Sequence, residues 1–427
     1  MPESTRSRVC KSTKDSAALF APSKRLCIPI EQAEYERILG DPVAFRTYLD
    51  GQIAEHPELF PAAIQQGYQL HDTLPPSQKL PRLRLRRIKL TAAAAGAAVF
   101  SVAPSFVMPY MTGYTEAIEK ALFLRRFGVP FWGLTYVFGH DDLYWERLEL
   151  RLGHNSLVGT TIKHAEHLPS DVLADEKHTR LNGDKAYVAT TVGHECVLGA
   201  SIATQADAKQ LQEAYGHFQT EARNLCADYQ PKTVNTDGWK GTQNAWLELF
   251  PTITVILCFL HGFLKIRDCC KRMKSHFREI CTRVWDIYRA ATPTLFMTKV
   301  SELKDWATQT LEPGSGLDAI LKLCERAPAY AQAYEYPTAY RTSNMLDRHM
   351  DRMDRCFYSA KYFHGHLMTA EYGVRSWALL HNFLPYCPRT KSAATYQSPA
   401  HKLNGFVYHD NWLQNLLVSA SMGGFRG

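Results

Sequence analysis

The acids of this sequence stand where a sheet could use them. Asp237 lies in Val234-Asn235-Thr236-Asp237-Gly238-Trp239-Lys240. An extended run over residues 232–236 ends in that acid, a Gly follows, and a helical stretch covers 240–250. An acid at the carboxyl end of a strand, facing a crevice, is where an α/β sheet puts chemistry. A second apolar run, 252–257, leads into Cys258-Phe259-Leu260-His261, which opens another helix. Upstream, Leu173-Ala174-Asp175-Glu176-Lys177 sets another acid in an extended stretch. Two carboxylates held close together repel each other and favour a cation between them. Mg²⁺ takes few protein carboxylates and keeps water and phosphate oxygens at its other positions. Two such ions, roughly 4 Å apart, activate an attacking hydroxyl and stabilise the leaving oxygen of a phosphodiester. Such a site needs a third acid, delivered by a helix on the same side.

The elements that must position these acids follow from periodicity and turn chemistry. Residues 171–178, 185–192 and 196–203 read as strands joined at Asn182-Gly183, a hairpin turn, and at Gly193-His194. A long helix fits 206–229, then come strand, Asp237, helix, strand, Cys258-x-x-His261 and a helix to about 289. The order β-β-β-α-β-α-β-α predicts an α/β fold: a mixed five-stranded sheet with helices on its faces. In that order the first and fourth strands are central neighbours, so Asp175 and Asp237 are neighbours too. Residues 290–335 read as helical with a break at Gly314-Ser315-Gly316, 336–340 as a loop, 345–362 as a helix, and 372–383 as helix again before a loop-like end.

This architecture, with these acids, resembles the ribonuclease H-like core of DDE transposases, in particular bacterial insertion-sequence transposases near the mutator-like branch. The likeness rests on Asp175 in its strand and on Asn235-Thr236-Asp237-Gly238-Trp239-Lys240-Gly241-Thr242-Gln243-Asn244-Ala245-Trp246 running to Phe250-Pro251. It rests also on Cys258-x-x-His261, like that branch's C/D-x-x-H signature, and on Thr342-Ser343-Asn344-x-x-Asp347-Arg348, like its T-x-N-x-x-E-R element. It covers about 170–385, including a helical insertion between about 290 and 335. The resemblance implies a transposase that cleaves DNA and transfers the strand through two Mg²⁺ (or Mn²⁺). Asp175, Asp237 and Asp347 would be metal ligands and catalytic residues, with His261 catalytic near the scissile phosphate. It implies a homodimer or larger assembly on double-stranded DNA, both element ends and target, in a bacterial cytoplasm at the nucleoid. At 347 this chain has Asp where the family pattern has Glu. Glu371 and Asp351 are the competing third acids, with Asp354 and Glu176 behind them. Two other outcomes use the same fold: a repurposed DNA-binding protein without catalysis, and a nuclease that cuts without joining.

Several residues have plainer readings. Cys258 and His261 have the spacing of half a zinc site, but no second pair follows; His276 and Cys281 are the nearest and fit poorly. Packing beneath the acids is the preferred role for the pair. His364 and His366 are a weaker metal candidate. Trp239, Trp246 and Phe250 read as core, and Glu176 as pointing to the opposite face, paired with an ion.

Ahead of the core lies a mostly helical region assigned to DNA binding. Residues 1–30 read as a flexible N-terminus and 31–75 as two helices, 31–39 and 41–55. Leu74-Pro75-Pro76-Ser77-Gln78 reads as a linker. Within 82–160, alternation in 82–90 suggests a strand with Arg82, Arg84 and Arg86 on one face, and three short helices, 116–127, 131–138 and 141–152, give a helix-turn-helix pattern. Ile118, Leu122 and Phe127 are expected to pack on Trp132, Tyr136, Leu143 and Leu148. The core then runs 165–289, the insertion 290–338 and the third-acid segment 339–427. DNA phosphates would meet Arg84, Arg86, Arg87, Lys240, Lys265, Arg267, Lys271 and Arg348. Arg272, Lys274 and Arg278 extend the basic face after His261.

Bulk composition agrees with a globular, nucleic-acid-tolerant chain. It has 427 residues, 45% hydrophobic and 21% charged, with a formal charge of +7 that suits a polyanionic partner. The eleven Cys form no paired metal frame, which predicts reduced thiols. Residues 1–25 lack the apolar centre of a signal peptide. The most apolar stretch, 90–108, holds Ser101, Pro104 and Ser105 and reads as a buried strand or a packed Ala turn rather than a membrane span.

Overall fold

A computed structural model of the chain describes residues 22–91, 98–273 and 275–425. Most of the proposed flexible N-terminus, the Ala-rich stretch 92–97 and Lys274 lie outside the described residues. The N-terminal half holds β1 (Arg25–Ile28), α1 (Gln32–Leu39), α2 (Pro42–Glu55), β2 (Tyr68–Leu74), β3 (Leu85–Leu90), β4 (Val99–Pro104), α3 (Thr115–Arg126), α4 (Phe131–Phe138), α5 (Asp142–Leu152) and α6 (Leu157–Thr161). The second sheet holds β5 (Asp171–Leu181), β6 (Asp184–Gly193), β7 (Cys196–Ala203), β8 (Thr233–Thr236) and β9 (Thr254–Leu257). Its helices are α7 (Ala208–Leu225), α8 (Lys240–Leu249) and α9 (Phe259–Cys270). Then follow α10 (Phe277–Tyr288), α11 (Pro293–Thr310), α12 (Ser315–Glu325), α13 (Ala327–Ala331), α14 (Asn344–Tyr358), α15 (Leu367–Phe383), α16 (Pro399–Asn404) and α17 (Trp412–Ser419).

The fold is α/β, with a five-stranded sheet in the order β7-β6-β5-β8-β9 and a four-stranded sheet in the order β1-β4-β3-β2. In the larger sheet β5, β6 and β7 pair antiparallel, while β8 and β9 run parallel to β5. Asn182 and Gly183, at φ 53° and 89°, make the tight turn between β5 and β6. The side-chain period of two decides what each face of this sheet meets. Val172 and Ala174 pack with Leu211, Tyr215 and Phe218 of α7 and Trp246 of α8. Leu173, Val188 and Val197 face a different core, shared with Leu346 and Met350 of α14 and Val374 and Trp377 of α15. Asp175, in phase with Leu173, points to the α14 side.

Four expectations need correction. The N-terminal half holds a four-stranded sheet and not just one strand among its helices: β2 follows α2, and β1 pairs in parallel with β4, Arg25 opposite Ser101. That pairing joins residues far apart in sequence, which a local pattern does not record. The basic strand starts only at Leu85, so Arg84 precedes it. The helix expected to run unbroken to 289 is split into α9 and α10. The chain does not end in loop: α17 is a helix buried along nearly its whole length.

The three helices of 115–157 form within a residue or two of their expected bounds, Asp141 capping α5 through Tyr144 N at 2.6 Å. Their packing differs. Phe127, Trp132, Tyr136 and Leu143 are 68, 67, 87 and 54% exposed, while Ile118, Leu122 and Leu148 are buried in the core shared with α14, α15 and α17. The helices meet each other through Arg125–Glu149, Thr135–Asp142 and Phe138–Trp145, and their apolar side docks on the rest of the molecule. Among the described residues no helix is long and apolar enough to cross a membrane.

Candidate metal centre

Register brings the acids together. β5 and β8 are parallel with Leu173 opposite Asn235, and β8 and β9 are parallel with Asn235 opposite Ile256. Two residues further along each strand line stand Asp175, Asp237 and Cys258, side by side on the face that α14 covers. Gly238 follows Asp237 at φ 94°, a left-handed conformation that swings the chain from strand to α8. The Asp237 carboxylate accepts a hydrogen bond from Trp239 N at 2.8 Å.

Asp175, His261 and Asp347 each offer one ligand atom, and these atoms lie within 4.8 Å of one another. This triad could hold a metal ion. It joins the central strand, the first turn of α9 and the first turn of α14. Burial, and then the charge of Asp237, push the Asp175 carboxyl up to about 7. Burial also raises Asp347, against the pull of His261 and Ser343, with Asp351 and Asp237 adding to the rise. Carboxylates that repel one another in this way gain by sharing a cation. The donor set is two oxygens and one imidazole nitrogen; Asp237, expected as a ligand, is not one of the three, though its charge acts on Asp175 and Asp347. Oxygens suit Mg²⁺ and Mn²⁺, whereas an imidazole in the inner set would shift preference towards Mn²⁺ or Zn²⁺.

Ser343 ties the centre together, a role that nothing local to it beyond its place before Asn344 marks out. It is 1% exposed. Its N–H donates to Cys258 Sγ at 3.1 Å, and its hydroxyl lies 3.2 Å from the same sulfur. The hydroxyl also reaches Asp347 Oδ2 at 3.2 Å and His261 Nδ1 at 3.5 Å. Cys258 thus anchors the start of α14 to the end of β9. Burial pushes the Cys258 thiol up, but hydrogen bonds from His261 and Ser343 outweigh it, leaving the thiol below its ordinary value. The bond to Cys258 and, after it, the charges of Cys258, Asp347 and Asp175 raise His261 to about 9 against the effect of burial. No cysteine belongs to the candidate metal group.

The competing acids are placed elsewhere. Glu371, on α15, is buried against the far strand β7, accepting from Ile202 N at 2.7 Å and lying 3.3 Å from His217. Ser201 and Glu371 both meet the Nδ1 atom of His217, so the three do not form a proton relay. Glu176 faces away, as its phase requires, but its partners are the hydroxyls of Tyr215 and Thr242, both at 2.7 Å, rather than an ion. Asp351 is exposed one turn beyond Asp347, and Asp354 pairs with Lys177 at 3.4 Å. Trp246 and Phe250 are core, and Trp239 is 36% exposed. His364 and His366 are exposed and outside the candidate metal group.

The proposed phosphate contacts divide. Arg84, Lys240, Lys265, Arg267, Lys271 and Arg348 are exposed. Arg86 instead donates to the Leu39 carbonyl and lies over the Phe45 ring, and Arg87 is paired with Asp72. These two arginines are used inside the N-terminal sheet, which their strand position could not reveal without its partner strand. The N-terminal turn of α5, where a recognition helix meets base edges, carries Asp141 and Asp142. No family model matches the chain, and no curated protein sequence matches it.

Proposed function

We propose that this chain is a DDE-type transposase, with a ribonuclease H-like core that cleaves DNA and transfers the freed strand. The gathering of Asp175, His261 and Asp347, with Asp237 in register beside Asp175, carries the reading. Asp175, Asp237 and Asp347 would hold Mg²⁺ or Mn²⁺, which when bound would supply nucleophile activation and charge stabilisation at the leaving oxygen. Asp237, set on a strand end by Gly238, faces the open side where a phosphodiester would lie. His261, held by Cys258 and Ser343, stands beside the acids, where its ring could ligate the metal or donate a hydrogen bond to a phosphate oxygen. Lys240, Lys265, Arg267 and Lys271 stand exposed on the helices that begin at the acids, suited to the flanking phosphates. The working form is a dimer or larger, joining two DNA ends.

A binding protein that had lost catalysis would have no need to keep these acids converged, and the shorter Asp347 still brings an oxygen into the group. The test uses labelled duplexes carrying the DNA that flanks the coding sequence, with Mg²⁺ or Mn²⁺. The wild-type protein should nick at a discrete position and join the 3′ end to a plasmid, and Asp237→Asn should abolish both. Cleavage that survives Asp237→Asn overturns the mechanism; cleavage without joining identifies a plain nuclease.

A further inference from the structure

Helix α4 leaves an aromatic face exposed among the described residues. Trp132 and Tyr136, four residues apart and so on one side of α4, are 67 and 87% exposed, and Val137 beside them is 62% exposed. Large rings cost free energy when left in water, and a cluster of them marks a surface that meets something. The turn that leads into α4 packs on α14. Gly128, between α3 and α4, rests on α14, where a Cβ would lie 3.2 Å from the Arg355 carbonyl. The Cys356 thiol reaches the Arg125 carbonyl at 3.6 Å. Phe127, just before Gly128, and Tyr358, one turn past Arg355, are each 68% exposed.

α14 supplies the charge. Arg348, Arg352 and Arg355 follow the i, i+4, i+7 spacing of one helix face and are exposed. None of the three is ion-paired with a carboxylate among the described residues, and the nearby Asp354 is taken by Lys177. From Asp347 to Arg355 the helix rises about 12 Å. Aromatic rings at one end of a row of arginines, with a candidate metal centre at the other, match the two chemistries of an unpaired strand: flat bases and phosphates. Duplex DNA keeps its bases stacked inside and offers such rings nothing to stack on.

We propose that the α4–α14 face binds single-stranded DNA. Trp132 and Tyr136 stack unpaired bases, and Arg348, Arg352 and Arg355 carry the phosphates towards Asp347. The strand would be the unpaired end of the DNA acted on at the acids, so this rests on the function proposed above. The test is fluorescence anisotropy on the full chain in EDTA, with a labelled oligothymidylate of about 15 nucleotides and a blunt duplex of the same length. The double variant Trp132→Ala/Tyr136→Ala should weaken single-strand binding roughly 10- to 100-fold and leave duplex binding within about twofold. Trp132→Tyr, which keeps a ring, should retain most of the affinity. Arg352→Ala/Arg355→Ala should weaken single-strand binding and flatten its salt dependence. Unchanged single-strand affinity in the Trp132/Tyr136 double variant overturns the proposal. So does a shift from dimer to monomer in that variant by sedimentation without loss of single-strand affinity, which would mean a second copy covers the face. Because the assay needs neither metal nor cleavage, activity that survives Asp237→Asn would defeat the transposase reading without altering these affinities.

Discussion

At the scale of single residues, the centre depends on side-chain length and on burial. Asp347 is one methylene shorter than a Glu, yet it reaches the group because Ser343 and Cys258 draw the start of α14 in. Asp347→Glu would push the carboxylate past its place. It should lower the strand-cleavage rate about 10²-fold, as a 1 Å misplacement does, while Asp347→Asn should remove cleavage altogether. Both are read on a labelled DNA end in saturating Mn²⁺. Behind the acids, His349 is 5% exposed, and neither ring nitrogen has a hydrogen-bond partner among the described residues. Burial, and then Arg352, Arg126 and Arg348, push it down to about 3. Its folded value lies below the unfolded one near 6.5, so it stays neutral in the fold while the unfolded chain takes up a proton. Stability should therefore fall as pH drops from about 6.5 towards 3, by at most about 1.4 kcal/mol per pH unit from this group. His349→Leu should flatten that slope in urea unfolding at pH 4–7 and gain about 1 kcal/mol at neutral pH.

At the scale of elements, the centre is built by strand ends and helix starts. β8 has only four residues, so Asp237 falls just beyond its last ladder position, where the chain must turn at once. Gly238 makes that turn at φ 94°, and a Cβ there would meet only ordinary contacts, Leu257 at 3.4 Å and Arg326 at 3.7 Å. The cost of Gly238→Ala is thus conformational rather than steric, about 1–2 kcal/mol. The variant should melt lower by that amount and lose cleavage more steeply than stability, because the strain is relieved by moving Asp237. A fall in stability with cleavage unchanged would show that the turn does not aim the acid.

At the scale of the whole molecule, packing does not follow the expected segment boundaries. One hydrophobic core runs from Leu26 of β1 through the three-helix region and one face of the large sheet to Met422. The first and last described segments meet in it: Cys27 N donates to Ser421 Oγ at 3.1 Å, and Ser23 N to Met422 O at 2.9 Å. The linker-like 75–78 is therefore a surface crossing rather than a hinge between cores. Helices α9 to α13 hold a separate core around Phe296, Ile280 and Leu323. Leu416→Ala, in the shared core, should cost about 2–5 kcal/mol and speed amide exchange in β1 and β5 together. Phe296→Ala, at about 3–5 kcal/mol, should speed exchange in α9 to α13 and leave β1 unchanged.

The sequence alone determined the strands and helices of the large sheet, because its signals there are local. Asn182-Gly183 must turn, Asp171–Leu181 alternates, and Gly238 must follow Asp237. It also picked out Asp175, Asp237, His261 and Asp347, each from its own short stretch. Only the tertiary structure shows that Asp347, and not Glu371, lies beside Asp175 and His261, since that depends on which strand each helix crosses: β5 or β7 at the far edge. Long-range pairing likewise decided the four-stranded sheet, the inward use of Arg86, the surface pairing of Arg87 with Asp72, and the exposure of Trp132 and Tyr136. A side chain's neighbours across the fold are not written in the residues on either side of it. Periodicity says that a face is apolar; the fold decides whether that face is covered.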